Sequence, residues 1–137
     1  MMTTLQVSSQ ERSANFLRRV LQADALASGL SGALLIVAAK PLAAFLGVGL
    51  PLPLIVTGVF LLLYAGALFQ QAAQDTLSRR FVTAVIVINI AWVVGSGLIL
   101  LADLVPLTTA GKWAVAIVAD LVAVFAGLEF YGLWRLR

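Results

Sequence analysis

Four long apolar segments dominate the sequence and decide what it can fold into. The chain of 137 residues is 62% hydrophobic and 11% charged, whereas soluble domains are roughly 45–50% apolar and about 25% charged. Each segment has about the 20 residues that a helix needs to cross the hydrocarbon core of a bilayer. We predict an all-α membrane protein with a single domain, a four-transmembrane-helix bundle over residues 1–137, because backbone polar groups in lipid must be paired within the spanning element. The predicted helices cover residues of about 16–39, 54–73, 81–102 and 113–134.

The connector between the first two segments is apolar but contains several helix breakers. Proline ends helices, and clustered prolines and glycines mark turns. This pattern predicts a short interfacial helix over Leu42–Leu46, followed by a turn. The breakers are Pro41, Gly47, Gly49, Pro51 and Pro53.

Arginines and lysines are distributed unevenly between the two sides of the predicted bundle. Seven arginines lie before segment one, after segment two and at the C-terminus, whereas Lys40 and Lys112 lie on the other side. Because cytoplasmic loops carry an excess of basic residues, we predict an uncleaved multi-pass protein with both termini in the cytoplasm. The seven are Arg12, Arg18, Arg19, Arg79, Arg80, Arg135 and Arg137.

The sequence contains no cysteine and no histidine, and its two methionines are the first two residues. This composition removes disulfides, zinc sites and the usual ligands of haem and iron–sulfur clusters. It also removes every nucleophile–histidine pair. We therefore expect no enzyme activity, no catalytic residue, no metal and no cofactor. The net charge of +3 is spread over the segment ends, so we do not expect nucleic acid as a partner.

A weak internal repeat relates segments one and three. An offset of 65 residues aligns Asp24 with Asn89 and gives five identities in 19 positions without a gap. Apolar helices resemble one another by composition, so both a true duplication and a chance match stay open. A duplication would produce two parallel helical hairpins related by an axis along the membrane normal. The identical pairs are Ser31 and Ser96, Gly32 and Gly97, Leu35 and Leu100, Pro41 and Pro106, and Leu42 and Leu107.

Polar side chains occur inside both of these repeated segments. They are spaced by three or four positions, so those of each segment share one helical face. Ala25, Gly29 and Gly32 lie beside the face on segment one, in a spacing typical of close helix–helix contact. One interpretation is a ligand or ion site between segments one and three, and the other is an interhelical hydrogen bond that only fixes the bundle. The residues concerned are Asp24, Ser28, Ser31, Asn89, Trp92 and Ser96.

Segment four carries two acids. Asp120 lies near its middle, and because Ala116, Ala123 and Gly127 share its face, we expect this face to meet protein. Asp120 is either a proton or cation relay or a buried hydrogen-bonded acid. Glu129 lies nine positions further on, about 900° around the helix, and therefore faces the opposite side. We predict a structural ion pair between Glu129 and an arginine near the segment ends, such as Arg19.

Four features occur together along residues of about 18–137. They are the run Asp24-Ala25-x-x-Ser28-Gly29-x-x-Gly32, the proline-broken connector, Asn89-x-x-Trp92 and a short tail that ends in arginine. In this combination the chain resembles small four-transmembrane-helix bacterial inner-membrane proteins of uncharacterised function. The resemblance implies location in a bacterial inner (plasma) membrane and carries no activity with it.

Two functions fit these observations. The first is a small non-catalytic integral membrane protein, either an accessory subunit or a bundle that binds a lipid or an apolar ligand. The alternative is a small proton- or cation-coupled transporter. Because four helices enclose little volume, a transporter would act as a homo-oligomer. The expected partners are the lipid bilayer and either further copies of the chain or a larger membrane protein.

Overall fold

A computed structural model describes the backbone of residues 2–103 and 105–135, and the side chains from residue 11 onward within these ranges. Four of its five helices are long and apolar enough to cross a membrane. The chain is therefore a multi-pass integral membrane protein, and the predicted all-α four-helix bundle is confirmed. The helices are α1 (Met2–Val37), α2 (Ala39–Leu46), α3 (Leu52–Ala72), α4 (Arg79–Ala102) and α5 (Thr109–Arg135).

The first helix begins well before the predicted start at residue 16. Residues 2–15 contain no proline or glycine to interrupt it, so α1 continues into the apolar segment without a break. The short helix α2 lies in the predicted connector but starts three residues before Leu42. Pro41 falls in its first turn, where the missing proline N–H is not required by the helix.

The end of α2 is tied to the start of α5. Gly47 has a φ of 85° and ends α2 in the left-handed region, which glycine adopts without strain. The Thr108 backbone N–H donates to the Leu46 carbonyl at 2.9 Å, and its hydroxyl donates to the Phe45 carbonyl. The same hydroxyl accepts from the Gly111 N–H at 2.9 Å, which caps the first turn of α5. This cap explains why α5 begins four residues before the predicted position 113.

The long helices pack in the order α3, α1, α5, α4. The contact between α1 and α3 is the most extensive. The other two neighbouring pairs in this order are α1 with α5 and α5 with α4. Among the described residues, α3 and α4 make almost no close backbone contact. The bundle is therefore tightly closed on three sides and looser along the seam between α3 and α4.

Two glycines allow the backbones of α1 and α3 to approach closely. A Cβ on Gly32 would lie 2.7 Å from the Gly58 carbonyl oxygen, and a Cβ on Gly58 would lie 2.7 Å from the Gly32 carbonyl oxygen. One turn earlier on α1, a Cβ on Gly29 would lie 3.5 Å from Ala65. The small residues of segment one thus pack against segment two, in the manner typical of membrane helices.

The end of the bundle that carries the arginines holds the main apolar core. Arg18 covers the C-terminus of α3, because its Nε donates to the Ala72 carbonyl at 2.8 Å and a terminal nitrogen donates to the Gln74 carbonyl at 2.9 Å. A helix C-terminus leaves such carbonyls without a partner in the helix, and a basic side chain satisfies them. The core residues are Leu17, Leu21, Ala25, Leu68, Ala72, Leu77, Val82, Val85, Ile86 and Leu133.

Candidate functional site

Four polar side chains, one from each long helix, meet at the centre of the bundle. We call this group the polar cluster: Asp24 of α1, Tyr64 of α3, Asn89 of α4 and Glu129 of α5, together with Ser28 beside Asp24. Asp24 is 4% exposed, Asn89 5% and Glu129 0%, so the cluster is shielded by the bundle itself. Buried ionisable groups in a membrane span are costly and commonly mark functional sites.

Asn89 connects the other members of the cluster. Its Nδ2 donates to Glu129 Oε1 at 2.7 Å and to Asp24 Oδ2 at 3.2 Å. Its Oδ1 accepts from the Tyr64 hydroxyl at 2.9 Å. A single amide therefore joins four helices, and both of its N–H groups are used.

The two acids of the cluster lie close to one another. The same Asn89 nitrogen donates to an oxygen of each, at 3.2 Å to Asp24 and at 2.7 Å to Glu129, so the two carboxyl groups are neighbours. Two neighbouring carboxyl groups repel each other when both are charged, and a cation beside them offsets this repulsion. Among the described residues, Glu129 Oε2 is buried without a hydrogen-bond partner. The cluster therefore holds more acceptors than donors.

The cluster lies closer to the arginine-bearing end than to the opposite end. Asn89 is ten residues from the start of α4 at Arg79, which is about 15 Å along the helix. Glu129 is six residues from the end of α5 at Arg135, or about 9 Å. The apolar core fills the space between the cluster and this end, so the polar groups are sealed from that side.

A cavity of about 110 Å³ lies on the other side of the cluster, toward the middle of the bundle. Asp24, Tyr64 and Asn89 form its polar end, and most of the remaining lining is apolar. Phe60 of α3 and Ile88 of α4 line it and are 45% and 37% exposed. Leu121 of α5 also lines it and is 57% exposed, so the cavity is open to the surface of the bundle. For comparison, a buried cavity of about 150 Å³ can hold one benzene ring, so a bound ring would project partly from this smaller, open cavity.

Most of the residues predicted from the sequence for a site lie at this cavity. Asp24 and Asn89 are in direct contact, and Ser28 donates to Asp24 Oδ1 at 3.2 Å. Ser31 and Trp92 line the cavity wall. Ser96 is buried one turn beyond Trp92 and does not line the cavity.

One expectation for segment four is wrong, and the other stays a prediction. Glu129 does not pair with Arg19, which is exposed, but instead accepts from Asn89 inside the bundle. The bundle could bury this acid because Asn89 supplies a hydrogen-bond donor there. Asp120 lies outside the cluster, on an exposed part of α5, and its face does not meet another helix of the same chain. Among the described residues, an ion pair joins Asp103 and Lys112 at 3.3 Å, near the opposite end.

The residue patterns assigned no role to Tyr64, and they predicted a different partner for Glu129. Tyr64 brings α3 into the cluster, and its hydroxyl-bearing ring near the middle of a largely apolar segment is the signal that could have suggested it. For Glu129, the useful signal was its position half a turn around α5 from Asp120, since the two acids cannot both face inward.

The repeat stays a prediction. The ends of α1 and α4, Val37 and Ala102, are separated by the same offset as Asp24 and Asn89. The described chain between α4 and α5, however, contains no helix that corresponds to α2.

The arrangement can bind and orient a polar group at one end of an apolar cavity. Among the described residues, no three carboxylate, histidine or cysteine side chains are grouped to hold a metal ion. The chemistry available is hydrogen bonding and charge neutralisation by two carboxyl groups, with an aromatic and aliphatic wall beyond them. Comparison of the chain with protein-family models, with curated proteins and with solved structures gives no match in any of the three.

Proposed function

We propose that this protein is a small non-catalytic membrane protein that binds a lipid segment or an apolar ligand at the centre of its helix bundle. The observation that carries the proposal is the cavity of about 110 Å³, which is apolar along its walls and polar at one end. Ligand sites are usually concave and apolar, with a few polar groups that fix the orientation of the ligand. Because exposed residues line the cavity, a ligand would enter it sideways from the bilayer.

Filling the cavity from α1 should weaken ligand binding. Ala27 lines the cavity, so Ala27→Phe would place a ring in it. We expect the affinity for 4-fluorobenzyl alcohol to fall by about tenfold or more, which corresponds to about 1.4 kcal/mol. Binding would be measured by ¹⁹F NMR of the alcohol with the purified protein in micelles.

Ala33→Phe is the matched control. Ala33 is an exposed alanine of the same helix and does not line the cavity. Ala33→Phe should leave the affinity unchanged. Its samples should show the same background partition of the alcohol into the micelles as those of Ala27→Phe. Equal binding by the two variants would mean that the alcohol does not occupy the cavity, and the proposal would fail.

The distribution of arginines supports the proposed orientation, with both termini on the cytoplasmic side of a bacterial inner membrane. Arg18 contacts the loop after α3, and Arg79 donates to the Leu133 carbonyl near the end of α5 at 3.4 Å. The basic residues of α1, α4 and α5 are thus at one end of the bundle. An excess of basic residues favours the cytoplasmic side.

A proton- or cation-coupled transporter that acts as a homo-oligomer is the second candidate. The Asp24–Glu129 pair favours it, because carboxyl groups within a span are typical of proton pathways. The exposed Asp120 in the middle of α5 favours an oligomer, since a carboxyl group facing lipid gains from a partner. Proteoliposomes with an imposed pH gradient distinguish the candidates. A transporter should dissipate the gradient and lose this flux in Asp24→Asn but keep it in Asp103→Asn, whereas a binding protein should leave the gradient intact.

A further inference from the structure

The donors of the polar cluster are all used within it. The Ser28 hydroxyl and one Asn89 N–H go to Asp24, the other Asn89 N–H goes to Glu129, and the Tyr64 hydroxyl goes to Asn89. The acceptors are in excess, because each carboxylate oxygen can accept two hydrogen bonds and Glu129 Oε2 accepts none from the described residues. A ligand that reaches the cluster must therefore bring a donor.

The acidic side chains of the cluster also favour a ligand that brings a donor. Among the described residues, neither Asp24 nor Glu129 forms an ion pair with a basic side chain, so no cation of the bundle faces these two acids. Isolation of a charge from water is costly, and a cation in contact with it offsets much of this cost. Of the two acids, Asp24 lines the cavity and Glu129 does not, so Asp24 is the one that a ligand can reach.

The cavity walls next to Asp24 are also suited to a cation. Phe60 and Tyr64 are stacked, with ring centroids 5.9 Å apart, and both line the cavity together with Trp92. Aromatic faces attract ammonium groups, most strongly when the groups are removed from water. The same rings provide an apolar surface for the rest of the ligand.

From this excess of acceptors we infer that the ligand is a lipophilic amine, whose ammonium group binds the Asp24 carboxylate while its apolar body fills the cavity. This inference rests on the ligand-binding function proposed above. It adds the chemical class of the ligand and assigns Asp24 as the residue that selects it.

Three probes of matched size test the inference: 4-fluorotoluene, 4-fluorobenzyl alcohol and 4-fluorobenzylamine. Their affinities for the purified protein would be measured by ¹⁹F NMR in uncharged micelles. We expect the amine to bind about tenfold or more tightly than the alcohol, because a hydrogen bond to a charged group is stronger than one between neutral groups. In Asp24→Asn, which retains the size of the side chain, the amine and the alcohol should bind within about threefold of each other.

Asp120→Asn is the matched control. It removes the same charge from the exposed face of α5 and should preserve the preference for the amine. If Asp120→Asn loses the preference for the amine, or if Asp24→Asn keeps it, the amine binds elsewhere. Either result would overturn the inference. If Asp24→Asn does not fold, the unaltered protein still tests the inference. Equal affinities of that protein for the amine and the alcohol would also overturn the inference.

The outcomes separate the inference from the proposed function. Equal binding of alcohol and amine, both reduced by Ala27→Phe, would reject the amine while keeping the cavity as a ligand site. If Ala27→Phe reduces the binding of no probe, the proposed function fails, and the inference fails with it.

Discussion

Asn89→Leu is expected to destabilise the bundle by about 2 to 5 kcal/mol, the largest effect of any single substitution in the polar cluster. Leucine is close to asparagine in size but cannot hydrogen-bond. The change would remove the bonds of 2.7 Å to Glu129, 3.2 Å to Asp24 and 2.9 Å from Tyr64. It would leave two buried carboxyl groups without their shared donor. Reversible unfolding by SDS in mixed micelles, followed by circular dichroism, would measure the loss.

Thr83→Val provides the control on the same helix. Thr83 is exposed, and its hydroxyl donates to the carbonyl of Arg79 within α4 at 2.7 Å. Its replacement should change the free energy of unfolding by no more than about 0.5 kcal/mol. A similarly small effect of Asn89→Leu would show that the cluster does not hold the helices together.

A double-mutant cycle shows whether the cluster acts as a unit. Tyr64→Phe removes one hydroxyl and should cost about 0.5 to 1.5 kcal/mol in the unaltered protein. In the Asn89→Leu background it should cost almost nothing, because the acceptor of that hydroxyl is already gone. Strictly additive costs would contradict the network that the distances indicate.

The second large effect is expected from Gly32→Ala, which should cost about 1 to 3 kcal/mol by overpacking. The new Cβ would lie 2.7 Å from the Gly58 carbonyl oxygen and 3.0 Å from Leu61 Cβ. Because the nearest atom belongs to the backbone, it cannot move aside as a flexible side chain would. The whole of α3 would have to shift away from α1. The same unfolding measurement applies.

Gly66→Ala on α3 is the matched control for this contact. A Cβ at Gly66 would have no neighbour within 4 Å. Alanine forms helices better than glycine by about 1 kcal/mol, so this variant should be neutral or slightly more stable. If Gly32→Ala were equally well tolerated, the close approach of α1 and α3 would be wrong.

Gly58→Ala should behave like Gly32→Ala, because each Cβ would contact the backbone oxygen of the other glycine. The cost of the double variant should be smaller than the sum of the two single costs. Once α1 and α3 have moved apart to accommodate one methyl group, the second methyl group causes less additional overlap.

The two stabilising features divide the bundle into parts with different roles. The glycine contact fixes α1 against α3 away from the arginine-bearing end, and the apolar core closes that end. Between them lie the polar cluster and the cavity, where the backbones of α3 and α4 make almost no close contact. A site that admits a ligand needs such a looser region, and rigid packing on both sides of it keeps Asp24 and Asn89 in position.

Part of the candidate site was accessible from sequence. The side chains at Asp24, Ser28 and Ser31 share a face because helical periodicity is local, and the equivalent spacing placed Asn89 and Trp92 together. The contact between Asp24 and Asn89, at 3.2 Å, joins helices that are far apart along the chain. Residue spacing alone suggested that contact but could not establish it.

The sequence by itself determined the four spans, because the length and hydropathy of a segment decide whether a helix can cross lipid. Only the tertiary structure decided which face of each helix points inward. A soluble helix shows its inner face by apolar periodicity, but a membrane helix is apolar on both sides, so its rotation leaves little trace in the pattern. Glu129 is therefore inside and Asp120 outside for a reason that lies in the neighbouring helices: only the inner position offers the amide of Asn89 as a partner.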